Sequence, residues 1–479
     1  MSYPIRYDRA TAPKFGIVFN SIPVFSPEGK ALYEERWTRF FEELKAEGAI
    51  HADSLLKPRI FHAHEAQAVA DEFAAARVDA VVILNSAFPN GHVFPTLALH
   101  RQLSRTPLIL SSDYEPDLGN NEWTTNAWCG VIMNNGLAKR LGRHVRLLAG
   151  GPDSGEFRDE VRMLANSVRA VARLGRDFVC KFGDAPGGFH SSTVDQAAYL
   201  RHFGTRIDTI DLLGVFNVFE SGVAKGYLGE RRFSADDVAA TAKRVKGDRS
   251  TGVSDEELTR AARFFHAIKA LVEANGYTSV AVRCWPELQS SGMRTAACTG
   301  LGWLMATGLV TAAACEADCE VVVMQTLGRL LSGQPAACLD FVNVPGRCGC
   351  TELGHCGVGI PGLMGEGEHL GCISPDKQAG GRIAPTLIGQ FQYGRKTGIT
   401  AAQKADGNLK ILCFTGENTP RSALGKLYSA ADVITGRDAA LHEAILVHGF
   451  PHHLAVAMED ISREVREVCG FCGVECIEP

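Results

Sequence analysis

The sequence predicts an α/β protein with two doubly wound parallel-sheet domains followed by a mostly β C-terminal domain. Three observations predict it. Short apolar runs alternate with amphipathic helical patterns from Phe15 to about residue 150, and the alternation restarts after the polar break Gly150-Gly151-Pro152-Asp153. From about Gln334, Gly and Cys rise and helical periodicity fades. Strands alternating with helices read as parallel βαβ units. The 479 residues also exceed the roughly 250–300 that one core can serve. The expected domains are 1–152, 153–333 and 334–479.

The elements follow in order. FGIVFN is the first strand, Tyr33 to Glu47 a helix, Glu65 to Ala76 an Ala-rich helix, and DAVVILNS and PLILSS further strands. The segment SSDYEPDLGNNEWTTN then reads as an exposed crossover loop. After the break, a helix runs to about Leu174, and DFVCKF, RIDTIDLLGV and TSVAVRC are expected as strands. Ser254 and Glu257 form a capping-box pattern ahead of the apolar face Leu258, Ala261, Ala262, Phe265, Ile268, Leu271 and Val272. In the third part, RIAPTLIGQFQYG and LKILCFTGE read as antiparallel strands.

Composition excludes several functions. Lys and Arg number 49 against 54 Asp and Glu, a net charge of -5 with no basic block, so nucleic acid is not an expected partner. The N-terminus has no apolar h-region, and the apolar stretch Leu301 to Cys315 is too short to span a bilayer. A cytoplasmic location without membrane contact is expected, with the 15 Cys read as reduced thiols and not as a disulfide framework. Neither GxGxxG nor GxxxxGK[ST] follows a strand, so nucleotide folds of those types gain no support.

Four segments carry candidate chemistry. Arg283-Cys284-Trp285-Pro286-Glu287 follows the apolar run TSVAV, and ligands of open α/β sheets bind beyond the carboxyl ends of strands. Glu287 is therefore a candidate, with a solvated loop carboxylate as the alternative. Cys315-Glu316-Ala317-Asp318-Cys319-Glu320 sets three acids between apolar runs. Buried acids need pairing, protonation or a metal, although Glu316 and Asp318 could equally cap a helix. His452 and His453 are adjacent, so in an extended segment only one ring would face a given site. His355 lies in the Gly-rich stretch Gly354-His355-Cys356-Gly357. One Glu, one Asp and one or two His suit Mn²⁺, with Mg²⁺ or Co²⁺ as alternatives. A sulfur site is the competing reading, from Cys348, Cys350, Cys356 and Cys372 or from Cys469, Cys472 and Cys476, though neither has the paired spacing of usual zinc sites.

The blocks AVRCWPEL, ACEADCEVVVM, TELGHCG and GFPHHLAVAMED, in this order, resemble the L-fucose isomerase and L-arabinose isomerase superfamily. The resemblance covers about the last 200 residues by motif and the N-terminal domain by architecture only. It implies a metal-dependent aldose-ketose isomerase, moving hydrogens between C1 and C2 of a sugar through a cis-enediol. It implies Mn²⁺ on Glu287, Asp318 and His453, with His355 a further ligand or a substrate contact, and Glu287 and Asp318 as catalytic acid and base. It also implies a homotrimer or homohexamer. Trp285, Arg283, His355, Asn126 and Trp123 are the candidate substrate contacts. Arg283, Arg382, Arg395 and Lys396 keep open a C6-charged substrate such as sulfoquinovose. A non-catalytic sugar-binding protein of the same fold is the alternative of a different class.

Overall fold

The structure, a computed structural model, describes the chain except residues 1–2, 116–123, 248, 250–251, 291–292, 346–348, 357, 366, 374–382 and 419–428. The chain divides into two compact units, Met1–Ala172 with Arg463–Gly473, and Arg173–Ser462 with Val474–Pro479.

The first unit holds strands β1 (Phe15–Asn20), β2 (Leu55–Ile60), β3 (Ala80–Asn85), β4 (Leu108–Ser112) and β5 (Arg146–Ala149). They form one parallel sheet in the order β2-β1-β3-β4-β5. β1, β3 and β4 are buried along their whole length, which is why they read as continuous apolar runs. The helix Pro27–Glu47 begins two turns before the apolar periodicity does. Ser26 Oγ accepts from the Gly29 N–H, Pro27 stands in the first turn, and Gly48 closes the end at φ 81°. Its inner face sets Trp37 edge-on to Phe157, ring centroids 5.3 Å apart, on the helix Gly155–Leu174.

The second unit opens with β6 (Phe178–Phe182) and β7 (Arg206–Ile210), then the hairpin β8 (Val223–Gly226) and β9 (Gly229–Arg232), then β10 (Ser279–Val282) and β11 (Ala313–Cys315). A four-stranded parallel sheet runs β11-β10-β6-β7. The run RIDTIDLLGV is not one strand: β7 stops at Ile210 and Asp211 stands at the N-cap position of the helix Leu212–Ser221, its carbonyl accepting from the Gly214 N–H at 2.9 Å. Asp favours a helix N-terminus over strand continuation. The capping box at Ser254 and Glu257 forms in both directions and opens the helix Asp255–Asn275.

The remaining strands are β12 (Ala337–Asn343), β13 (Thr351–His355), β14 (His369–Ile373), β15 (Ile383–Gln390), β16 (Gly394–Gln403), β17 (Leu409–Asn418), β18 (Ser429–Ile434), β19 (His453–Ala457) and β20 (Glu475–Ile477). They form a nine-stranded sheet, β14-β15-β18-β13-β12-β19-β16-β17-β20. The added pairing of β17 with β18 closes six of these strands into a barrel. The fold class is thus parallel α/β sheets followed by a mostly β portion. The fading periodicity did not announce two helices in this part of the sequence, Asp438–His448 in the second unit and Ser462–Cys472, which belongs almost wholly to the first.

One helix joins the two sheets of the second unit. Cys319–Ser332 packs on β10 and β11 and also on β16 and β19, and nearly all of it is buried. Its N-terminus therefore faces barrel and parallel sheet at once.

Candidate metal centre

β11 ends at Cys315, and the chain must turn sharply to start the helix at Cys319. It does so with Glu316 at φ 58° and Ala317 at φ 53°. Two successive non-glycine residues in the left-handed region cost roughly 1–2 kcal/mol each, a strain found where a site needs it. The turn is pinned by the Ala317 N–H donating to the Val282 carbonyl at 3.0 Å. Asp318 then caps the helix, Oδ1 accepting from the Val321 N–H at 3.1 Å.

The barrel supplies the other half. β12 pairs with β19 so that Asp340 stands opposite His453, and with β13 so that Asp340 stands opposite Gly354, beside His355. Asp318 and His453 are 1% and 2% exposed and meet at 2.7 Å, His453 Nδ1 donating to Asp318 Oδ2. That contact fixes the ring and aims Nε2 at two carboxylates. Glu316 Oε2 and Asp340 Oδ1 each lie 3.3 Å from it. Both oxygens are buried and make no hydrogen bond. An imidazole oriented by a carboxylate on one nitrogen, with its other nitrogen facing open oxygen donors, is the arrangement of a metal-ligating histidine.

Two overlapping groups of donors close on this point, Glu316 with His355 and His453, and Asp340 with His452 and His453. Oxygen and imidazole donors together can hold a divalent cation. The electrostatics agree. Burial disfavours a charged His453, yet its hydrogen bond to Asp318 and the nearby Glu316 carboxylate outweigh this and hold it well above the ordinary histidine range. Burial likewise opposes ionisation of Glu316, and the neighbouring His453 overrides it, so Glu316 stays below the usual carboxylate range. His355 is raised against its burial by Asp340 and Cys338, whereas burial and the neighbouring His453 lower His452. In the ion-free chain, a proton on His453 supplies the positive charge that these carboxylates require.

The expectation that the rings of His452 and His453 point apart is not met. Their centroids are 4.1 Å apart and both approach Asp340, because pairing of β19 begins at His453 and leaves His452 on a bend. Trp285 lies beside the cluster, its Nε1 donating to Glu316 Oε1 at 3.2 Å and its ring meeting Phe189 edge-on at 5.1 Å. Glu287 is engaged elsewhere. Arg283 grips it with both arms of the guanidinium, at 2.7 and 2.6 Å, and also donates to the Ala185 carbonyl. Gly183 makes room for this, since a Cβ there would stand 2.9 Å from that of Arg283.

The other sequence candidates lie as follows. Asn126 belongs to the first unit, at φ 51° ahead of the helix Ala127–Arg140, its N–H donating to Glu115 at 2.8 Å. Trp123, Arg382 and Cys348 lie outside the described residues. Arg395 pairs with Asp460, and Lys396 is buried with its ammonium on the carbonyls of Tyr393, Gly394 and Arg395. Burial pulls Lys396 down to about 8. Sequence reasoning did not find Asp340. The one available signal is an acid within the otherwise apolar strand ACLDFVN, and its partner is fixed only by strand register.

Similarity to sulfoquinovose isomerases marks the chain as an aldose-ketose isomerase, in keeping with its resemblance to the L-fucose and L-arabinose isomerases. No family model matches the chain. It is similar to the sulfoquinovose isomerase of Alkalicoccus urumqiensis, 24% identical over 404 residues that cover 84% of this chain and 86% of that one. The sulfoquinovose isomerases of Priestia megaterium and Clostridium sp. (strain MSTE9) are each 22% identical, covering 86% and 82% of this chain and 88% and 85% of theirs. Among the described residues no helix is long and apolar enough to cross a membrane.

Proposed function

We propose that this chain interconverts sulfoquinovose and its ketose, sulfofructose, by moving hydrogens between C1 and C2 through a cis-enediol. The observation that carries the reading is similarity to sulfoquinovose isomerases over most of both chains. The buried Glu316, His355 and His453 group, with the unsatisfied oxygens of Glu316 and Asp340, supports a divalent ion, proposed as Mn²⁺ with Mg²⁺ or Co²⁺ as substitutes. Bound there, the ion would supply Lewis acidity toward the O1 and O2 oxygens of the sugar.

The chain's own residues do the rest. Asp318 orients His453 and stands as one proposed proton-transfer carboxylate and ligand. Glu287 is the other, and it reaches a substrate carbon only when Arg283 releases it. Arg283 is then free to bind an anion, which is what a sulfonate-bearing substrate would provide. Trp285 holds Glu316 in place and, with Phe189, offers aromatic surface to the carbon face of a sugar. Asn126 and Trp123 remain proposed substrate contacts, reaching the site of a neighbouring protomer. A trimer or hexamer in the cytoplasm completes the proposal.

The test is chelation followed by restoration with Mn²⁺, assayed on sulfoquinovose, L-fucose, D-arabinose and L-arabinose in deuterated water. The expected result is metal-restored conversion of sulfoquinovose with solvent deuterium entering at the transferred position. Glu287→Gln is expected to cost about 10²–10⁴ in turnover, the range of a general acid or base. Metal-loaded protein that converts none of the four sugars would overturn the reading.

A further inference from the structure

The second unit holds a concave surface that the proposed reaction does not use. The helices Ala235–Lys246 and Asp255–Asn275 pack together and, with Thr307 and Leu309 after the helix Ala297–Ala306, line a cavity of about 500 Å³. That volume falls within the range of small-molecule sites. None of these elements carries a residue of the metal centre. Asp237, Thr241 and Arg244 line the cavity from one face of the first helix, at i, i+4 and i+7, and Phe265, His266 and Lys269 line it from the second.

The polar groups of this lining are engaged, with one exception. Asp237 Oδ2 accepts from the Ser234 N–H and Oγ at 2.8 and 2.7 Å, which caps its own helix. Lys269 has Glu273 at 3.9 Å and acts on Asp237 as well. His266 is stacked on Phe233 and edge-on to Phe265, and its Nε2 lies 2.9 Å from Thr241 Oγ1 and 3.1 Å from the Asp237 carbonyl. Burial, with Lys269 and Arg244 nearby, pushes His266 below the ordinary histidine range, so the ring is neutral and adds no charge. Arg244 is the exception. Among the described residues its guanidinium makes no hydrogen bond and no ion pair, and it lies over the Trp303 ring, 5.2 Å from the centroid. The indole takes one face of the guanidinium and leaves the fork of N–H donors in its plane unclaimed.

We propose that this cavity binds a small organic anion, its oxyanion head on Arg244 and its apolar body against Phe265 and Leu309, at a site separate from that of the sugar. The planar fork of an arginine matches two oxygens of a carboxylate, sulfonate or phosphate head, and these three share the chemistry that the site recognises. The body is required by the size and lining of the cavity. A bare inorganic ion would fill little of it and would leave the Phe265 ring and the Leu309 side chain in water, where their burial contributes nothing.

The test is calorimetric titration of the metal-loaded full chain with benzoate, benzenesulfonate and phenyl phosphate, with inorganic phosphate as the head alone and phenol as the body alone. The expected result is that at least one aryl anion binds more tightly than either fragment, by about tenfold or more, and the order among the three names the preferred head. Arg244→Gln should weaken that binding by about tenfold or more, the scale of a hydrogen bond to a charged group. Lys243→Gln removes a charge from an exposed position of the same helix and should leave it unchanged, which separates a site from an effect of net charge. No aryl anion whose binding Arg244→Gln weakens, equal weakening by Lys243→Gln, or inorganic phosphate binding as tightly as phenyl phosphate would each overturn the proposal. Both substitutions are at exposed positions, and an unchanged melting temperature confirms that the variants compared are folded.

Discussion

At the carboxyl ends of its strands the parallel sheet of the first unit carries mostly neutral hydrogen-bonding groups, with one acid, Asp113 after β4, paired to Arg36 at 2.9 Å, whereas that of the second carries several charges. β1, β3 and β4 end in Asn20-Ser21, Asn85-Ser86 and Ser111-Ser112, all buried. β10 and β11 are followed by Arg283 and by Glu316-Ala317-Asp318. The two sheets share construction and differ in what their ends demand. Ser111 Oγ donates to the Leu148 carbonyl and Ser86 Oγ to Glu34, and a neutral hydroxyl without a partner, such as Ser21 Oγ, carries no charge to balance. Buried carboxylates demand a cation, because desolvating an unpaired charge costs several kcal/mol. In the second unit that cation is the His453 imidazolium, and a divalent ion can replace it. Doubly wound architecture thus provides the ledge, and the residues placed on it decide whether metal chemistry is available.

The largest effect should come from removing the shared ligand. His453→Gln is expected to lower divalent metal affinity by more than about a hundredfold, beyond the range of an outer partner. Metal analysis after gel filtration and calorimetric titration would measure it, and wild-type affinity in this variant would remove His453 from the centre. Asp318→Asn comes next. Asn caps a helix as well as Asp, so the helix survives, while loss of a charge proposed both to ligate the ion and to hold His453 should cost at least about 10–100-fold in metal affinity. A melting temperature unchanged within error, together with that weakening, would separate positioning from folding.

The pH dependence is a smaller, graded effect. The metal must displace the proton from His453 Nε2, and His453 is held well above its ordinary value. Affinity should therefore rise with pH by about tenfold per unit until that raised value is passed, then level off. The ion-free protein should show the opposite trend in stability. The charged His453 contributes fully below about 6.5, its unfolded value, and that contribution fades as pH rises through the folded one. Melting curves with and without metal across pH 6 to 9 would read both, roughly the range over which histidine charge is adjustable. The smallest effect is expected in the first unit. The amides of Asn85 and Asn134 are buried and make no hydrogen bond among the described residues. Asn85→Leu should shift stability by only about 1 kcal/mol and leave metal uptake unchanged. Altered metal uptake would show that the neutral ledge matters to the charged one.

The legible parts of this molecule are those written in local pattern. Runs such as FGIVFN and AVVILN announce buried parallel strands, because both faces are covered and every residue is apolar. The capping box at Ser254 is equally local, since three residues decide it. The acids after β11 were identifiable as needing a cation from their apolar flanks. Their division of labour was not, because it depends on the backbone of Glu316 and Ala317 turning left-handed, which no residue type there advertises. Glu316 consequently joins the two histidines, and Asp318 caps the helix and holds one of them.

By itself the sequence determined the α/β class, the mostly β final portion, the resemblance to sugar isomerases and the presence of buried acids and histidines in separate blocks. Tertiary structure alone decided which of these meet. Pairing Asp340 with His453 is a matter of antiparallel register between β12 and β19, over a hundred residues apart in the chain. Periodicity is a property of neighbours along the chain, while a metal centre is a property of neighbours in space.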